Sequence, residues 1–394
     1  MLHKYAFSNF QSFRERTQVS WLMDGHVPPA VWSGASGSGE RVSTVMAVLG
    51  PNASGKTALL KPLLFMHWFM THSFAVQPNA LLPFQPHAMA ENEASEFEAE
   101  ADLDGRLMRY TLRCTPQRVL HEALYAKHER MRYVFVREWN DSTQSYDVKQ
   151  RDFGFAPTEA RKVRPNASLI ATAAQYGVSL AQRMAQATVS TNIDSGGRMT
   201  DHTVQLLRAA RQLSGEHSQL ASLVQLLASW DLGLRDVQIR ALETTSATGQ
   251  IEKLWLPYGI HGAAGNATFE LPFSMESSGT QGAFILLSRL LPVLAAGGLA
   301  VIDEFENDLH PHMLEPILEL FASPATNPHQ AQLLLTCHAI EVLNILHKSQ
   351  VMLVEKNPDN ESSAWRLDSV GGVRSDDNFY AKYMAGAFGA VPQL

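Results

Sequence analysis

Hydrophobic and polar positions change their spacing along the chain in a way that predicts alternating strands and helices. The segments KYAFSNFQSF and RTQVSWL near the start alternate as strands do. STVMAVLG is a short apolar run that predicts a buried strand, and apolar residues then recur with helical spacing from Thr57 to about Phe69. Further on, SEFEAEADLDGRLMRYTLRC predicts two strands joined by an Asp-Gly turn.

The pattern becomes helical from about Pro157 to Leu234, with heptads too short and irregular for an extended coiled coil. DVQIRALETTSATGQIEKLWLPYG returns to strands. The rest predicts helix 281–295, strand 299–302, helix 312–322, strand 332–336, helix 339–347 and strand 351–355. We therefore expect an α/β fold of mixed sheets flanked by helices, with an N-terminal lobe at 1–155, a helical insertion at 156–235 and a C-terminal lobe at 236–394.

The charge, cysteine content and apolar stretches of the chain limit which partners and which cellular compartment we expect. Lys and Arg number 32 against 39 Asp and Glu, so a nucleic-acid partner would need a local basic patch. Cys114 and Cys337 are the only cysteines, which excludes a disulfide scaffold and favours a reducing cytoplasm. The N-terminus lacks the pattern of a signal peptide, and charged residues and prolines interrupt the two longest apolar stretches, so we expect a soluble protein without a membrane partner.

GPNASGKT is a complete G-x-x-x-x-G-K-[ST] motif with a predicted strand before it and a predicted helix after it. Such a loop directs backbone N–H groups into one anion site at the positive end of a helix. Lys56 would reach the β- and γ-phosphates, and Thr57 would offer its hydroxyl to Mg²⁺. The predicted nucleotide-binding residues are Gly50, Asn52, Ser54, Gly55, Lys56 and Thr57.

GGLAVIDEFEND supplies the acidic partner that such a loop requires, because a buried strand ends at two carboxylates. Adjacent residues on a strand face opposite ways, so we expect different roles for them. Asp303 would hold Mg²⁺ through water, and Glu304 would polarise the attacking water as general base. Taken without the phosphate loop, the same residues would be an acidic strand end at the surface.

Two further polar residues are weaker candidates. LLLTCHAIEV ends a buried strand at His338, which would sense the γ-phosphate by a hydrogen bond, although a histidine at a strand end is often structural. LLPFQPHA offers Gln85 as a contact to Mg²⁺ or to the lytic water, with an ordinary loop glutamine as an equal alternative. The turn near Ser12 and Phe13 is the predicted neighbour of the base.

MESSGTQGAF raises the question of why one chain would need a second Ser/Gly loop. The order of phosphate loop, Ser-Gly stretch, acidic strand and strand-end histidine resembles that of ABC-type ATPases, whose LSGGQ-type signature binds the γ-phosphate held by the other protomer. SSGTQ matches this signature with Thr280 in place of the second glycine, and Ser278 aligns with its serine; a Ser-rich helix cap is the alternative. The residues assigned by this likeness are Ser277, Ser278, Gly279, Thr280 and Gln281, the last of which is predicted to begin a helix.

Four stretches extend the likeness: FSNFQSFRE, GPNASGKT, DEFENDLHP and YMAGAFGAVPQL. The chain resembles the SMC, Rad50, RecF and OLD group, and is most similar to the short AAA-ATPase-like proteins of bacterial abortive-infection and anti-phage systems. The resemblance implies an ATP hydrolase that uses ATP and Mg²⁺ and forms a head-to-tail homodimer, or a higher homo-oligomer, around two nucleotides. It also assigns Asn307 and His310 to the D-loop.

The chain departs from parts of this group. Its helical insertion is too short for the long arms of SMC or Rad50 proteins. OLD nucleases carry a TOPRIM domain after the ATPase, whereas roughly fifty residues follow the His338 segment here, too few for a typical domain. These departures favour an ATPase that senses or regulates a separate effector, a nuclease or toxin, which docks on the insertion.

Other functions compete with this hypothesis. A RecF-like DNA-repair ATPase would need a basic groove, for which the candidates are Arg161 to Arg164, Arg106, Arg109, Arg113 and Arg118, and solvated charges are the alternative interpretation. A non-hydrolysing scaffold disagrees with the presence of Glu304. A transporter ATPase disagrees with the ENDLHP continuation and with the lack of any sign of a membrane partner.

Overall fold

The computed structural model describes residues 1–28, 31–194, 196–230, 233–245, 251–263, 267–307 and 309–392. Its strands are β1 (Leu2–Ser8), β2 (Thr17–Ser20), β3 (Ser33–Ala35), β4 (Arg41–Ser43), β5 (Val45–Leu49), β6 (Ser95–Leu103), β7 (Arg106–Thr115), β8 (Arg118–Lys127), β9 (Met131–Asn140), β10 (Ser145–Gln150), β11 (Val189–Thr191), β12 (Leu234–Thr245), β13 (Ile251–Gly262), β14 (Thr268–Pro272), β15 (Leu299–Ile302), β16 (Gln332–Thr336), β17 (Val351–Lys356) and β18 (Ser362–Arg366).

The α-helices are α1 (Lys56–His72), α2 (Pro157–Lys162), α3 (Leu169–Gln175), α4 (Ser179–Ala185), α5 (His202–Leu213), α6 (His217–Ser229), α7 (Ser278–Ala296), α8 (Leu314–Glu319) and α9 (Phe379–Met384). Short 3₁₀ turns occupy Ser73–Ala75, Phe273–Met275, Pro311–Met313, Ile340–Asn344, Lys348–Gln350 and Leu367–Ser369. The predicted α/β fold of mixed sheets flanked by helices is confirmed.

A six-stranded sheet in the order β11-β15-β16-β5-β17-β18 lies at the centre of the molecule. Its strands run parallel except β18, which pairs antiparallel with β17. The strand before the phosphate loop, β5, lies between β16 and β17, and the acidic strand β15 is one strand further away. Because the carboxyl ends of parallel strands share one edge, this order collects the polar strand ends of the sequence at a single place.

An antiparallel sheet of seven strands, ordered β10-β9-β8-β7-β6-β1-β2, forms a second layer. Its β6–β7 hairpin turns at Asp104 (φ 51°) and Gly105 (φ 74°), as the Asp-Gly turn predicted. The strands β12, β13 and β14 form a separate three-stranded sheet, and β3 pairs with β4.

Hydrophobic cores lie on both faces of β5, as its unbroken apolar sequence requires. Met46 and Val48 pack in the core shared with the seven-stranded sheet, α1 and α3. Val45, Ala47 and Leu49 pack in the core shared with α7, α8 and the last helices of the 156–235 segment. Of the described helices, α7 is long and apolar enough to cross a membrane by length and composition alone, and most of it is buried in this second core.

The segment 156–235 contributes to both layers. Its helices α3 and α4 pack in the first core, whereas α5 and α6 pack against α7. Between them, β11 adds a parallel strand to the edge of the six-stranded sheet beside β15. The division into two lobes and an insertion remains a prediction.

Three predicted helices have different bounds. α7 begins at Ser278 rather than Gln281, because the Ser277 side chain caps it by accepting from Thr280 N. The predicted helix 312–322 is a 3₁₀ turn followed by α8, which ends at Glu319, and the Asn327 amide then binds the Phe321 carbonyl as the chain turns. The predicted helix 339–347 is only a 3₁₀ turn, Ile340–Asn344, since the His347 side chain caps the next turn.

Candidate nucleotide site

The phosphate loop connects β5 to α1, and two of its glycines are required by close approach. A Cβ on Gly50 would lie 2.1 Å from the Val354 carbonyl oxygen. Gly55 has a φ of 109°, and a Cβ there would lie 2.5 Å from the Ser362 hydroxyl oxygen. The loop therefore lies directly against β17 and β18, and only glycine fits at these two positions.

Lys56 is the first residue of α1 and is buried. Its Nζ donates to the carbonyl oxygens of Gly50 and Pro51, at 2.9 Å each, so the ammonium lies under the loop that it would serve. Burial lowers the pKa of Lys56, and the charges of Asp303 and then Glu306 oppose this shift most strongly. The cation is thus placed between the loop and the acidic strand end.

Thr57 and Asp303, predicted to share a metal ion, are in direct contact. Thr57 Oγ1 donates to Asp303 Oδ2 at 2.8 Å across 246 positions of sequence. The other oxygen, Oδ1, accepts from Thr336 Oγ1 at 2.6 Å. Asp303 is only 3% exposed, so both of its oxygens are held by hydroxyl groups that a hard cation could also use as ligands.

Glu304 faces a different way from Asp303, as adjacent residues at a strand end should. Its Oε2 lies 2.9 Å from Arg198 Nε, and the side chain is 39% exposed. Its backbone N–H donates to Thr336 Oγ1 at 2.8 Å. The Asn192 amide closes over the preceding residue: it donates to the Asp303 carbonyl oxygen at 2.7 Å and accepts from Asp303 N at 2.8 Å.

Glu306 also lies at the site, although it is not among the residues predicted from the sequence. Its Oε1 accepts from His338 N at 2.6 Å, and its Oε2 is buried without a hydrogen-bond partner among the described residues. Burial and the Glu306 charge raise the pKa of the neighbouring Cys337 thiol. Its place as the third acidic residue of the DEFE sequence was the one feature that could have indicated it. Asn192, Arg198 and Thr336 lie in no recognisable sequence motif.

The structure places His338 and Gln85 differently. His338 follows β16, its backbone binds Glu306, and its side chain is exposed at the same sheet edge as Asp303. Gln85 has an exposed side chain, and its carbonyl oxygen accepts from Gln11 N at 2.9 Å. No hydrogen bond in the described ranges joins Gln85 to the phosphate loop or to Asp303, so its assignment to metal or water remains a prediction.

The other loop residues lie as follows. Asn52 is exposed at the tip of the phosphate loop, and Ser54 is buried. Ser12 and the phosphate loop are joined by Ser362, whose hydroxyl donates to the Ser54 carbonyl at 2.6 Å and lies 2.8 Å from Ser12 Oγ. The predicted neighbour of the base is therefore beside the loop, although Phe13 itself is fully buried.

The signature candidate forms the start of α7. The hydroxyl of Ser277 is used within the turn, where it accepts from Thr280 N at 3.2 Å and lies 2.9 Å from Thr280 Oγ1. Gln281 Nε2 donates to the Glu276 carbonyl at 2.9 Å. Ser278 is exposed. Across the described residues, no hydrogen bond or ion pair joins this loop to the phosphate loop of its own chain.

The D-loop candidates lie beyond Glu304. Asn307 N donates to the Glu304 carbonyl at 3.0 Å, and the Asn307 side chain is exposed. His310 caps the 3₁₀ turn Pro311–Met313 by accepting from His312 N, and it is also exposed. Both residues are thus at the surface next to the acidic strand end.

The residues present fit a magnesium nucleotide. Two polar groups here are buried and unpaired in the described chain, the Ser54 hydroxyl and Glu306 Oε2. Within the same described residues, no three His, Cys, Asp or Glu side chains are grouped as in a metal cage made by protein alone. Thr57 and Asp303 instead offer the one or two protein oxygens that Mg²⁺ takes when phosphate oxygens complete its shell.

Comparisons with known proteins found a family model and a solved structure that are similar to this chain. A family model described as "AAA domain, putative AbiEii toxin, Type IV TA system" matches residues 45–344, which include the phosphate loop, the signature candidate and the acidic strand. Among solved structures, the SMC head domain from Thermotoga maritima is similar, with 13% sequence identity, a TM-score of 0.43 and coverage of 93% of this chain and 98% of that chain.

No curated protein matches the chain. The family match covers most of the sequence and confirms the resemblance to AAA-ATPase-like proteins. The chain belongs to the AAA-domain family described by the putative AbiEii toxin of type IV toxin–antitoxin systems.

Proposed function

We propose that the protein hydrolyses ATP with Mg²⁺ at the site formed by the phosphate loop and the end of β15. The observation that carries this proposal is the 2.8 Å contact between Thr57 Oγ1 and Asp303 Oδ2, which joins the two halves of the site. When bound, Mg·ATP supplies the transferable phosphoryl group and the charge that neutralises it. Lys56 and the loop N–H groups would bind phosphate, Thr57 and Asp303 would hold the cation, and a Glu304 carboxylate oxygen would accept the proton of the attacking water.

The assembly proposed is a head-to-tail homodimer, or a higher homo-oligomer, closed by ATP. Its support is the exposed Ser278 at the N-terminus of α7, a 19-residue helix whose positive end suits a phosphate. Because the loop makes no polar contact with its own phosphate loop in the described residues, it is available to a nucleotide held by a second copy.

The proposed biological role is regulation of a separate effector, a nuclease or toxin, in anti-phage defence in the cytoplasm. The family description names a toxin of a toxin–antitoxin system, which supports a defence setting for this chain. We propose the exposed parts of segment 156–235 as the effector's docking surface. Co-purification of the untagged neighbouring gene product with this chain tests the role, and a chain that purifies alone contradicts it.

The assembly is tested with Glu304→Gln, which removes the base but leaves Asp303 and the phosphate loop intact. We expect its mass by light scattering to double with Mg·ATP, and hydrolysis to fall by about 10²- to 10⁴-fold. In the matched control, Glu304→Gln with Ser278→Arg, ATP should still bind while the doubling disappears. A protein that binds ATP and stays monomeric would show that SSGTQ acts only as a helix cap.

A nucleic-acid clamp is the second candidate function, supported by one basic cavity. The cavity has a volume of about 640 Å³. It is lined by Arg106, Arg132, Arg151, Arg183 and His128, together with Asp104 and Asp152, beside the exposed Tyr133. Arg183 pairs with Asp104, whereas no ion pair within the described chain involves Arg106, Arg132 or Arg151. Guanidinium groups without carboxylate partners suit a phosphate backbone.

Three of the other predicted arginines are engaged elsewhere. Arg109 pairs with Glu100, Arg118 lies over the Trp139 ring, and Arg164 donates to backbone carbonyls. The clamp therefore predicts that Arg132→Glu weakens oligonucleotide binding and lowers its salt dependence, whereas Arg113→Glu, an exposed arginine of the same sheet outside the cavity, does not. Absent or salt-insensitive binding by the wild-type protein excludes this function.

A further inference from the structure

The carboxylate of Glu304 lies outside the phosphate loop, in a small cavity between β15, α5 and α7. The cavity has a volume of about 50 Å³, and Asn192, Arg198, Gln205, Arg289 and Glu304 are among its lining residues. Within the described chain, none of the residues 50–57 lines it. The charges of Asp303 and Glu306 also raise the pKa of Lys56 more than the charge of Glu304 does. The carboxylate of the proposed general base therefore faces Arg198 of the segment 156–235.

Arg198 holds Glu304 in that direction. Arg198 lies at the end of a tight turn, where it forms an isolated bridge with Ile193. Its Nε is 2.9 Å from Glu304 Oε2, and the two side chains are 22% and 39% exposed. A carboxylate oxygen engaged by a guanidinium is less available to accept a proton from water. The partial exposure of the pair keeps its net strength low, so the contact can be broken.

The backbone at Glu304 is held in an unusual conformation by contacts other than Arg198. Its φ is 48°, in the left-handed region that non-glycine residues rarely adopt and that costs on the order of 1 kcal/mol or more. Thr336 and the Asn192 clamp on Asp303 maintain the conformation. These backbone contacts do not involve Arg198, so loss of the Arg198 contact frees the Glu304 side chain while Asp303 stays in place.

Arg289 connects this segment to the signature helix α7. Its Nη1 donates to the Thr191 carbonyl at 2.5 Å, and its Nη2 donates to Gln205 Oε1 at 3.2 Å. Burial, together with the charge of Arg208, lowers the pKa of Arg289 to about 10. Thr191 directly precedes Asn192, so a displacement of α7 acts on the turn that carries Arg198 through one side chain.

We propose that Arg198 is a positioning residue that keeps Glu304 off the attacking water until the dimer closes. Engagement of the α7 N-terminus by a nucleotide on a second copy would shift Arg289 and Thr191 and release the Arg198–Glu304 pair. Hydrolysis would then start only in the closed dimer. This inference rests on the proposed ATPase function, and it assigns the regulation of that site to residues 189–194 and 196–198.

The first test compares Arg198→Gln with Arg198→Lys and with Arg211→Gln, an exposed arginine of α5 with no ion pair among the described residues. We expect Arg198→Gln to raise the basal kcat about threefold with KM unchanged, which corresponds to about 0.7 kcal/mol at 1.4 kcal/mol per tenfold. Arg198→Lys, which keeps the charge, should stay near wild type, as should Arg211→Gln. An unchanged or lower kcat in Arg198→Gln overturns the proposal.

A second measurement separates this proposal from the ATPase itself. Hydrogen exchange of the wild-type peptide that carries Asn192 and Arg198 is followed with and without Mg²⁺ and the non-hydrolysable analogue AMP-PNP. We expect severalfold faster exchange with the analogue, and the same fast exchange in Arg198→Gln without it. Unchanged exchange overturns the switch even if ATP is hydrolysed. Faster exchange in a protein that never hydrolyses ATP contradicts the ATPase function, and with it a role of the released pair in hydrolysis.

Discussion

Two arginine–glutamate pairs of this molecule differ in burial. The buried pair is suited to a structural role, and the exposed pair is suited to a regulatory one. Arg137 and Glu122 meet at 3.3 Å with both side chains 0% exposed. Arg198 and Glu304 meet at 2.9 Å, a shorter distance, but with 22% and 39% exposed. Burial therefore distinguishes them better than distance does. A pair that water cannot reach is a fixed part of the fold, whereas a pair at the surface exchanges readily for water.

The buried pair is embedded in further hydrogen bonds. The Arg137 terminal nitrogens donate to the carbonyls of Val163, Arg164 and Ala167 at 2.7 to 2.8 Å. Glu122 accepts from the Ser168 hydroxyl at 2.6 Å and from nearby donors that include Leu169 N. These contacts pin the start of α3 to the seven-stranded sheet. Each partner is costly to remove alone, since the other charge would remain buried and unpaired.

The largest effect is expected from Arg137→Met. The change leaves Glu122 buried without its cation, and we expect the free energy of unfolding to fall by about 3–5 kcal/mol. Urea titration measures this loss. ATP turnover per folded molecule should stay near wild type, because the pair is outside the nucleotide site.

The control for this change is the double variant Arg137→Met, Glu122→Leu, which replaces both charges by apolar side chains. It should recover much of the stability lost in the single variant. If the single variant proves as stable as wild type, the buried pair is not the structural anchor described here.

An intermediate effect is expected from Asn192→Ala. The variant loses the two hydrogen bonds to the Asp303 backbone, and at roughly 1 kcal/mol each the unfolding free energy should fall by about 1–2 kcal/mol. Gln186→Ala, an exposed glutamine at the end of α4, should change it by less than about 0.5 kcal/mol. Equal stabilities for the two variants would mean that the Asn192 hydrogen bonds contribute as little to the free energy of unfolding as an exposed contact such as the Arg198 pair.

The smallest effect on stability is expected at the start of α7, where Ser277 caps the helix and Ser278 is exposed. Ser277→Ala removes the helix cap, and we expect it to lower stability by about 1 kcal/mol, measured by thermal unfolding. Ser278→Ala should leave stability nearly unchanged, because the side chain is exposed, and should weaken only ATP-dependent dimerisation. If Ser278→Ala proves less stable than Ser277→Ala, then Ser278 and not Ser277 caps the helix.

Local motifs were enough to predict much of the site. Gly50 to Thr57 form a loop whose geometry depends on neighbouring residues, and the apolar run before Asp303 predicts the strand that places it. The fold class followed from the change of hydrophobic period. Helix ends were less predictable, since α7 starts at Ser278 because of a cap that sequence spacing did not reveal.

The sequence by itself determined the phosphate loop, the acidic strand end and the α/β class, because each is encoded in residues adjacent along the chain. Only the tertiary structure decided which way Glu304 faces and what holds it. Asn192 reaches the Asp303 backbone across 111 positions, and Arg198 lies in a turn with no motif of its own. Those contacts exist because β11 pairs with β15, and strand pairing between distant segments is a property of the whole packed sheet.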